Sequence, residues 1–291
     1  MKIYVIGAGK VGTALTGALR KTKQRVTLRA SRRGLPARAI TADLLVLAVR
    51  DGALSGLARE LAARSLVSRQ TAVVHVAGAL GPEVLAPLRR ASAGVAQAHP
   101  MVSFASKHFV PQLSGAHLLV EGDRVAVRRA RELAFCLGMV ARHWTEVDRT
   151  LYHAAAGLVA NGAAALADAG ARLLELAGCP ARDSARVLGP LLRSVAENVE
   201  RLGLPEALTG PVRRGDAETV MRHIASIQRR ASEILPLYRA SVAAQLPMAV
   251  KLGDASDRAL QGVARRIGVS AALGRPRRRK RTSIAGSALR R

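Results

Sequence analysis

The sequence predicts an α/β protein in which an N-terminal, doubly wound sheet with helices packed on it is followed by an all-helical C-terminal domain. Three observations carry this reading. Across residues 2–143 short apolar runs alternate with helix-like stretches, the pattern of strands joined by crossover helices. A Gly-x-Gly-x-x-Gly step follows the first of these runs and opens a helix. Beyond Glu146 the strand signal stops, and the remaining segments have helical periodicity punctuated by Gly and Pro.

Taken in order, the strand candidates are 3–6, 26–29, 44–49, 72–76, 95–98, 118–120 and 139–141. The helices expected after them cover 150–177, 181–202, 216–230, 231–246 and 254–267. The chain thus divides into a sheet domain, 1–146, a helical domain, 147–270, and a tail, 271–291. The tail gathers Arg275, Arg277, Arg278, Arg279, Lys280, Arg281, Arg290 and Arg291 among Gly, Pro and Ser without apolar periodicity, so it reads as disordered.

The bulk properties set limits on function. A chain of 291 residues buries a full core and suits two domains. Unbroken apolar runs such as 44–49 fall far short of the ~20 residues that cross a bilayer, so no membrane span is expected. The first residues enter a strand directly, without the charged and apolar stretches of a signal peptide, which points to the cytoplasm. Cys136 and Cys179 stand far apart without a Cys-x-x-Cys spacing, so they read as free thiols and no metal site is expected. The net charge of +26 raises nucleic acid as a partner, but much of the excess is arginine and part sits in the tail. Aromatic residues, at 2%, are too few for a base-stacking platform.

Gly7-Ala8-Gly9-Lys10-Val11-Gly12 is the fingerprint of a Rossmann-type dinucleotide site. Gly7 permits the tight turn, Gly9 admits the pyrophosphate to the backbone, and Gly12 lets helix and strand pack closely. The anion then meets the free N–H groups and the dipole of a helix N-terminus. The second strand ends in Arg29-Ala-Ser31-Arg32-Arg33, with no carboxylate for the ribose hydroxyls. Ser31, Arg32 and Arg33 suit a 2′-phosphate, which favours NADP over NAD. Val49, at the end of the third strand, is counted among the cofactor contacts.

Ligands of such sheets gather beyond the carboxyl ends of the strands. Arg50-Asp51 there reads as a helix start with Asp51 as cap. His75 and His99 are the candidates for proton chemistry, because an unperturbed imidazole titrates near physiological pH. In the long helix that follows, His153, Asn161, Asp168, Arg172 and Glu175 share one polar stripe. Its C-terminal part reads as a solvated face, whereas Asn161 sits among small residues where a buried amide would need a partner. His153 and Asn161 are thereby candidates for contact with substrate or nicotinamide. In Thr209-Gly-Pro-Val-Arg-Arg-Gly-Asp216, Asp216 is a helix cap, and Thr209 and Arg214 are candidate substrate contacts, Arg214 for an anionic group.

The fingerprint, together with Val74-His-Val-Ala-Gly-Ala79, His99-Pro100 with Phe104, Tyr152-His-Ala-Ala155 with Asn161, and Leu208-Thr-Gly-Pro-Val-Arg-Arg-Gly-Asp216, resembles a bacterial family joining a Rossmann-like NADP-oxidoreductase domain to a helical C-terminal domain of unknown function. In that family's His-x-Ser-Gly-Ala step Ala77 replaces the serine, so a hydroxyl role is lost. More distantly the layout is similar to pyrroline-5-carboxylate reductase, ketopantoate reductase, prephenate dehydrogenase and the 6-phosphogluconate dehydrogenase superfamily. This resemblance implies dimers through the helical domain and substrate held between domains. The Ala98-His-Pro-Met101 step looks like the one where prephenate dehydrogenases place a catalytic histidine, but Val76-Ala-Gly departs from their pattern.

The residues and the resemblance together read as an NADP(H)-dependent oxidoreductase that moves a hydride to or from a carbonyl or imine carbon. His99 would be the acid/base, Asn161 and His75 would orient substrate or nicotinamide, and Arg214 would hold an anionic group. Two other readings stay open: a non-catalytic NADP sensor, and a nucleic-acid-associated protein acting through its basic tail.

Overall fold

The computed structural model describes residues 1–144 and 146–269, so the basic tail lies outside the described residues. The chain divides into two compact units, 1–162 and from Ala163 onward.

The first unit is built on a seven-stranded sheet of order β2-β1-β3-β4-β5-β6-β7. The strands are β1 (Lys2–Ile6), β2 (Arg25–Arg29), β3 (Leu44–Leu47), β4 (Ala72–His75), β5 (Gly94–Pro100), β6 (His117–Gly122) and β7 (Val140–Arg142). Each lies on a predicted run. Full burial of Leu44, Leu45, Val46 and Leu47 explains why β3 reads as an unbroken apolar run rather than an alternation. Leu44 and Val46 face one core with Leu15 and Leu19 of α1 (Lys10–Arg20) and Leu133 of α3 (Arg124–Cys136). Leu45 and Leu47 face the other core, with Leu54, Ala58 and Leu61 of α2 (Asp51–Ala63). Each such leucine contributes roughly 1.5–3 kcal/mol on burial. Helices on both faces make the sheet doubly wound, and the chain reverses direction of winding between β1 and β3.

Two connections differ from the expected alternation. Between β4 and β5 the chain forms a 3₁₀ helix, Pro82–Leu88, instead of an α-helix; Pro87 inside it lacks the N–H that an α-turn would need. No helix joins β5 to β6, and these strands pair antiparallel, His99 opposite Leu119 and Pro100 opposite Leu118. An antiparallel neighbour needs no crossover helix, so the sheet is mixed, with all other pairs parallel. β5 is also longer than expected. Its pairing with β4 ends at Gln97, so residues 98–100 form an edge on that side, where a proline is tolerated.

The helical segments also follow the sequence closely. They are α4 (Arg149–Leu176), α5 (Ala181–Leu202), α6 (Ala217–Arg230), α7 (Leu235–Leu252) and α8 (Asp257–Arg266). A single helix was expected over 231–246; the chain forms a 3₁₀ turn, Ser232–Ile234, and then α7, which starts with a proline in its first turn. Asp216 caps α6 as expected, accepting from the Thr219 N–H at 2.9 Å. Arg50, not Asp51, occupies the cap position of α2, and Asp51 is its first residue. α4 is long and apolar enough, by length and composition, to cross a bilayer, although no unbroken apolar run within it reaches that length. The C-terminal half of its polar stripe is not merely solvated: Arg172 pairs with Glu233 at 2.6 Å, and Glu175 accepts from the Ser184 hydroxyl at 2.7 Å.

Candidate functional site

The carboxyl ends of β1, β2 and β3 enclose a cleft of about 640 Å³. It sits at the reversal between β1 and β3, where doubly wound sheets bind ligands. Gly7, Ala8 and Gly9 form one wall, Ser31 and Arg32 another, and Ala48, Val49 and Arg50 a third. Gly7 has φ +117°, and a Cβ there would collide with the Ala48 carbonyl. A Cβ on Gly12 would strike the Gly7 carbonyl, which is how the helix lies so close to the strand. Gly9 is different: a Cβ there meets nothing within 4 Å, so its surface is open to the cleft. Gly9 also caps α1 without a side-chain bond, which leaves the first N–H groups of the helix for an anion. These residues fit a dinucleotide pyrophosphate.

Of the expected contacts, Ser31, Arg32 and Val49 line this cleft with Gly7, Ala8 and Gly9. Lys10, Val11, Gly12 and Arg33 are not on its walls; Gly12 serves packing, and the Arg33 carbonyl is a structural acceptor. The Arg29 guanidinium donates to three carbonyls, of Gly34 at 2.8 Å, Arg33 at 2.9 Å and Leu35 at 3.1 Å, and so shapes the loop carrying Ser31 and Arg32. Sequence reasoning missed Arg50 and Lys107 as further cations of the cleft. Arg50 was visible at the end of a strand. Lys107 comes from the β5–β6 connection, which has no regular structure and leaves no periodic signal.

A second cleft, of about 610 Å³, is lined by His99, Pro100, Met101, Phe104, His153 and Asn161 among others, all in the first unit. His99 lies on the edge portion of β5 beyond β4. The turn that passes beside it is held from two sides. Ala77 N–H donates to His75 Nδ1 at 3.2 Å and His75 Nε2 donates to the Gly81 carbonyl at 3.0 Å. Gln97 Nε2 donates to the Ala77 carbonyl at 2.7 Å. The Arg149 guanidinium binds Gln97 Oε1 and pairs with Glu121, which anchors the first turn of α4 to the sheet. Asp148 accepts from the Leu151 N–H at 3.0 Å at the same turn.

The anchored helix presents Tyr152 and His153 to His99. The Tyr152 hydroxyl is 2.8 Å from His99 Nδ1. Ring centroids of His99 and His153 are 6.2 Å apart. Both imidazoles converge on Gly78, where a Cβ would lie 2.6 Å from His153 Nδ1 and 2.8 Å from His99 Nε2. The absent side chain is what makes room for them.

Electrostatics changes the expected role of His99. Burial pushes it down from 6.5 to about 4, and the nearby His153 and His75 push in the same direction. At neutral pH it is therefore an uncharged imidazole and not a group titrating there. His75 is fully buried, its pKa is lowered by burial against the Gly81 bond, and both its ring nitrogens are spent on backbone groups. It holds the 75–81 turn instead of facing the cleft. Asn161 does line the cleft, but it is exposed, so the buried amide expected from its small neighbours is not found. Thr209 and Arg214 belong to the second unit, exposed in the loop before α6. That loop is tied down by the adjacent Arg213, which bonds Asp254 at 2.6 Å and the Leu208 carbonyl at 2.8 Å.

Comparison with known proteins agrees with this architecture. A protein of Thermotoga maritima is similar at a TM-score of 0.62 and 19% identity, over 86% of this chain and 99% of that one. A Bacteroides fragilis protein whose name proposes an NADP oxidoreductase is similar at 0.64 and 20%, over 84% and 97%. Pyrroline carboxylate reductase of Plasmodium falciparum, solved with NADP bound, is similar at 0.56 and 11%, over 90% and 98%. At these identities the likeness is one of fold. No curated protein matches the sequence. Residues 1–100 match the model of a Rossmann-like domain, and residues 116–245 match the domain of unknown function DUF2520. The chain thus joins a Rossmann-like domain to a DUF2520 domain.

Proposed function

We propose that the protein is an NADP(H)-dependent oxidoreductase. The observation that carries this is the first cleft, where an open Gly9 and an uncapped helix N-terminus share walls with Ser31 and Arg32. Gly7, Ala8 and Gly9 would hold the pyrophosphate, and Ser31 and Arg32 the 2′-phosphate by charge-assisted hydrogen bonds. Val49, Arg50 and Lys107 complete the walls. When bound, the nicotinamide supplies or accepts a hydride at a carbonyl or imine carbon. The chain's own contribution is the uncharged imidazole of His99 with His153 beside it, which present ring nitrogens to the substrate's oxygen or nitrogen above Gly78. Asn161 lines the same cleft and would orient the substrate, while His75 and Gln97 keep the Gly78 turn in place.

We further propose a homodimer. Val187, Leu191, Val195, Val199 and Leu202 form one apolar stripe of α5, each 41–58% exposed. A continuous stripe of this kind is what soluble chains cover by association, and under twofold symmetry the same stripe on a second copy is its complement.

Titration calorimetry with NADPH and NADH, followed by NADPH consumption across a panel of aldehydes, ketones and cyclic imines, tests the reading. Saturable NADPH binding with turnover is the expected result. Absence of binding to either coenzyme overturns it, and tight binding without turnover would favour a sensor.

A further inference from the structure

Tyr152 lies half-buried in the first turn of α4, its ring edge-to-face with His99 at 5.5 Å and with Trp144 at 6.3 Å. Its hydroxyl is the hydrogen-bond partner of the His99 ring among the described residues, 2.8 Å from Nδ1. The other ring nitrogen, Nε2, is the one that faces Gly78 and His153.

A neutral imidazole has one hydrogen for two nitrogens, and the partner of one nitrogen decides the state of the other. A phenol is a better donor than acceptor, since its oxygen lone pair is delocalised into the ring, whereas a bare imidazole nitrogen is a strong acceptor. Burial pushes the Tyr152 hydroxyl up to about 12, against the pull of the Arg149 charge, so it keeps its hydrogen. Burial likewise keeps His99 neutral. The two groups meet as an intact phenol and an uncharged imidazole.

We propose that Tyr152 is a positioning residue that donates its hydroxyl hydrogen to His99 Nδ1 and thereby fixes the tautomer in which Nε2 carries the hydrogen toward Gly78. This rests on reading His99 as the group that meets the substrate. It also narrows the substrate class. A fixed N–H at this point stabilises an atom with a free lone pair on which negative charge builds, the oxygen of a ketone or aldehyde. It opposes a protonated iminium nitrogen, which brings its own hydrogen and has no lone pair to accept with. The site is thus one for carbonyl substrates, with Tyr152 setting that preference through His99.

Long-range proton–nitrogen spectra of protein labelled at histidine nitrogen test this without reference to turnover, with His99→Gln identifying the His99 signals. In the unaltered protein, Nδ1 of His99 is expected to show the shift of a bare nitrogen and Nε2 that of a hydrogen-bearing one. In Tyr152→Phe the two should move toward the averaged values of a ring exchanging between tautomers, with NADPH affinity unchanged. Carbonyl turnover should fall by about 10-fold or more, in kcat rather than KM. A hydrogen found on Nδ1 of the unaltered protein overturns the proposal, and that spectrum decides alone if Tyr152→Phe fails to fold. An unmoved tautomer in a folded Tyr152→Phe protein overturns it too. Cyclic iminium substrates turned over faster than carbonyls would overturn the substrate class. Failure of NADPH to bind would instead strike the oxidoreductase reading and leave the spectra as they are.

Discussion

Gly78 and His99 are in contact at the point where any other residue at position 78 would begin its side chain: a Cβ there would lie 2.8 Å from Nε2. Gly78→Ala should therefore drive His99 and His153 apart while leaving the first cleft intact. We expect kcat to fall by about 100-fold, the loss associated with displacing a reacting group by an ångström, with NADPH affinity unchanged by calorimetry.

Stability should depend on pH through His99. Its folded value of about 4 lies below the ordinary 6.5, so as pH falls the unfolded chain takes up the proton first. The stabilisation is complete above 6.5 and is lost progressively toward 4, by up to about 3 kcal/mol. The lowered value of His75, due to burial, acts in the same direction. Urea unfolding across this range should show a falling midpoint in acid, with a shallower fall in His99→Gln; equal slopes for the two proteins would refute the assignment.

In the proposed function, Arg32 is the residue that separates the two coenzymes. Arg32→Ala should weaken NADPH binding by about 10- to 100-fold, the worth of a charge-assisted bond to phosphate, and barely alter NADH binding. Equal weakening of both would place Arg32 elsewhere on the nucleotide.

The three glycines of the fingerprint should part company. Gly12→Ala forces a methyl into the Gly7 carbonyl and should lower stability by about 1–3 kcal/mol or more in denaturant titration. Gly9→Ala meets no protein atom, so its stability should stay within about 0.5 kcal/mol of the original. Its NADPH affinity should nonetheless drop, because the methyl occupies the approach of the pyrophosphate.

A charge in the apolar stripe of α5 tests the proposed dimer. Leu191 is 57% exposed in the single chain, so Leu191→Glu should leave the fold intact. Light scattering should then report a monomer where the unaltered protein gives twice that mass.

The strands and most helices were legible because burial writes itself into composition. Leu44 to Leu47, covered on both faces, read as one apolar run, and the Gly7 turn announced itself because few other residues tolerate its backbone. The antiparallel course of β6 was not legible, since nothing within a run of apolar residues records which way its neighbour points. In the second cleft His99, His153 and Asn161 could be picked out as polar residues in telling places. The role of His99 could not be read, because it depends on a partner distant in sequence, Tyr152, just as that of Gln97 depends on Arg149. The same holds for Lys107, which reaches its cleft from an irregular connection.

The three carbonyls gathered by Arg29 mean that the loop proposed to grip the adenosine end is already in shape before any coenzyme arrives. A receptor that need not rearrange gives up little freedom on capture. Differences in affinity among coenzymes should then reside in how long each one stays, and loosening Arg29 should slow arrival without touching a single ligand atom.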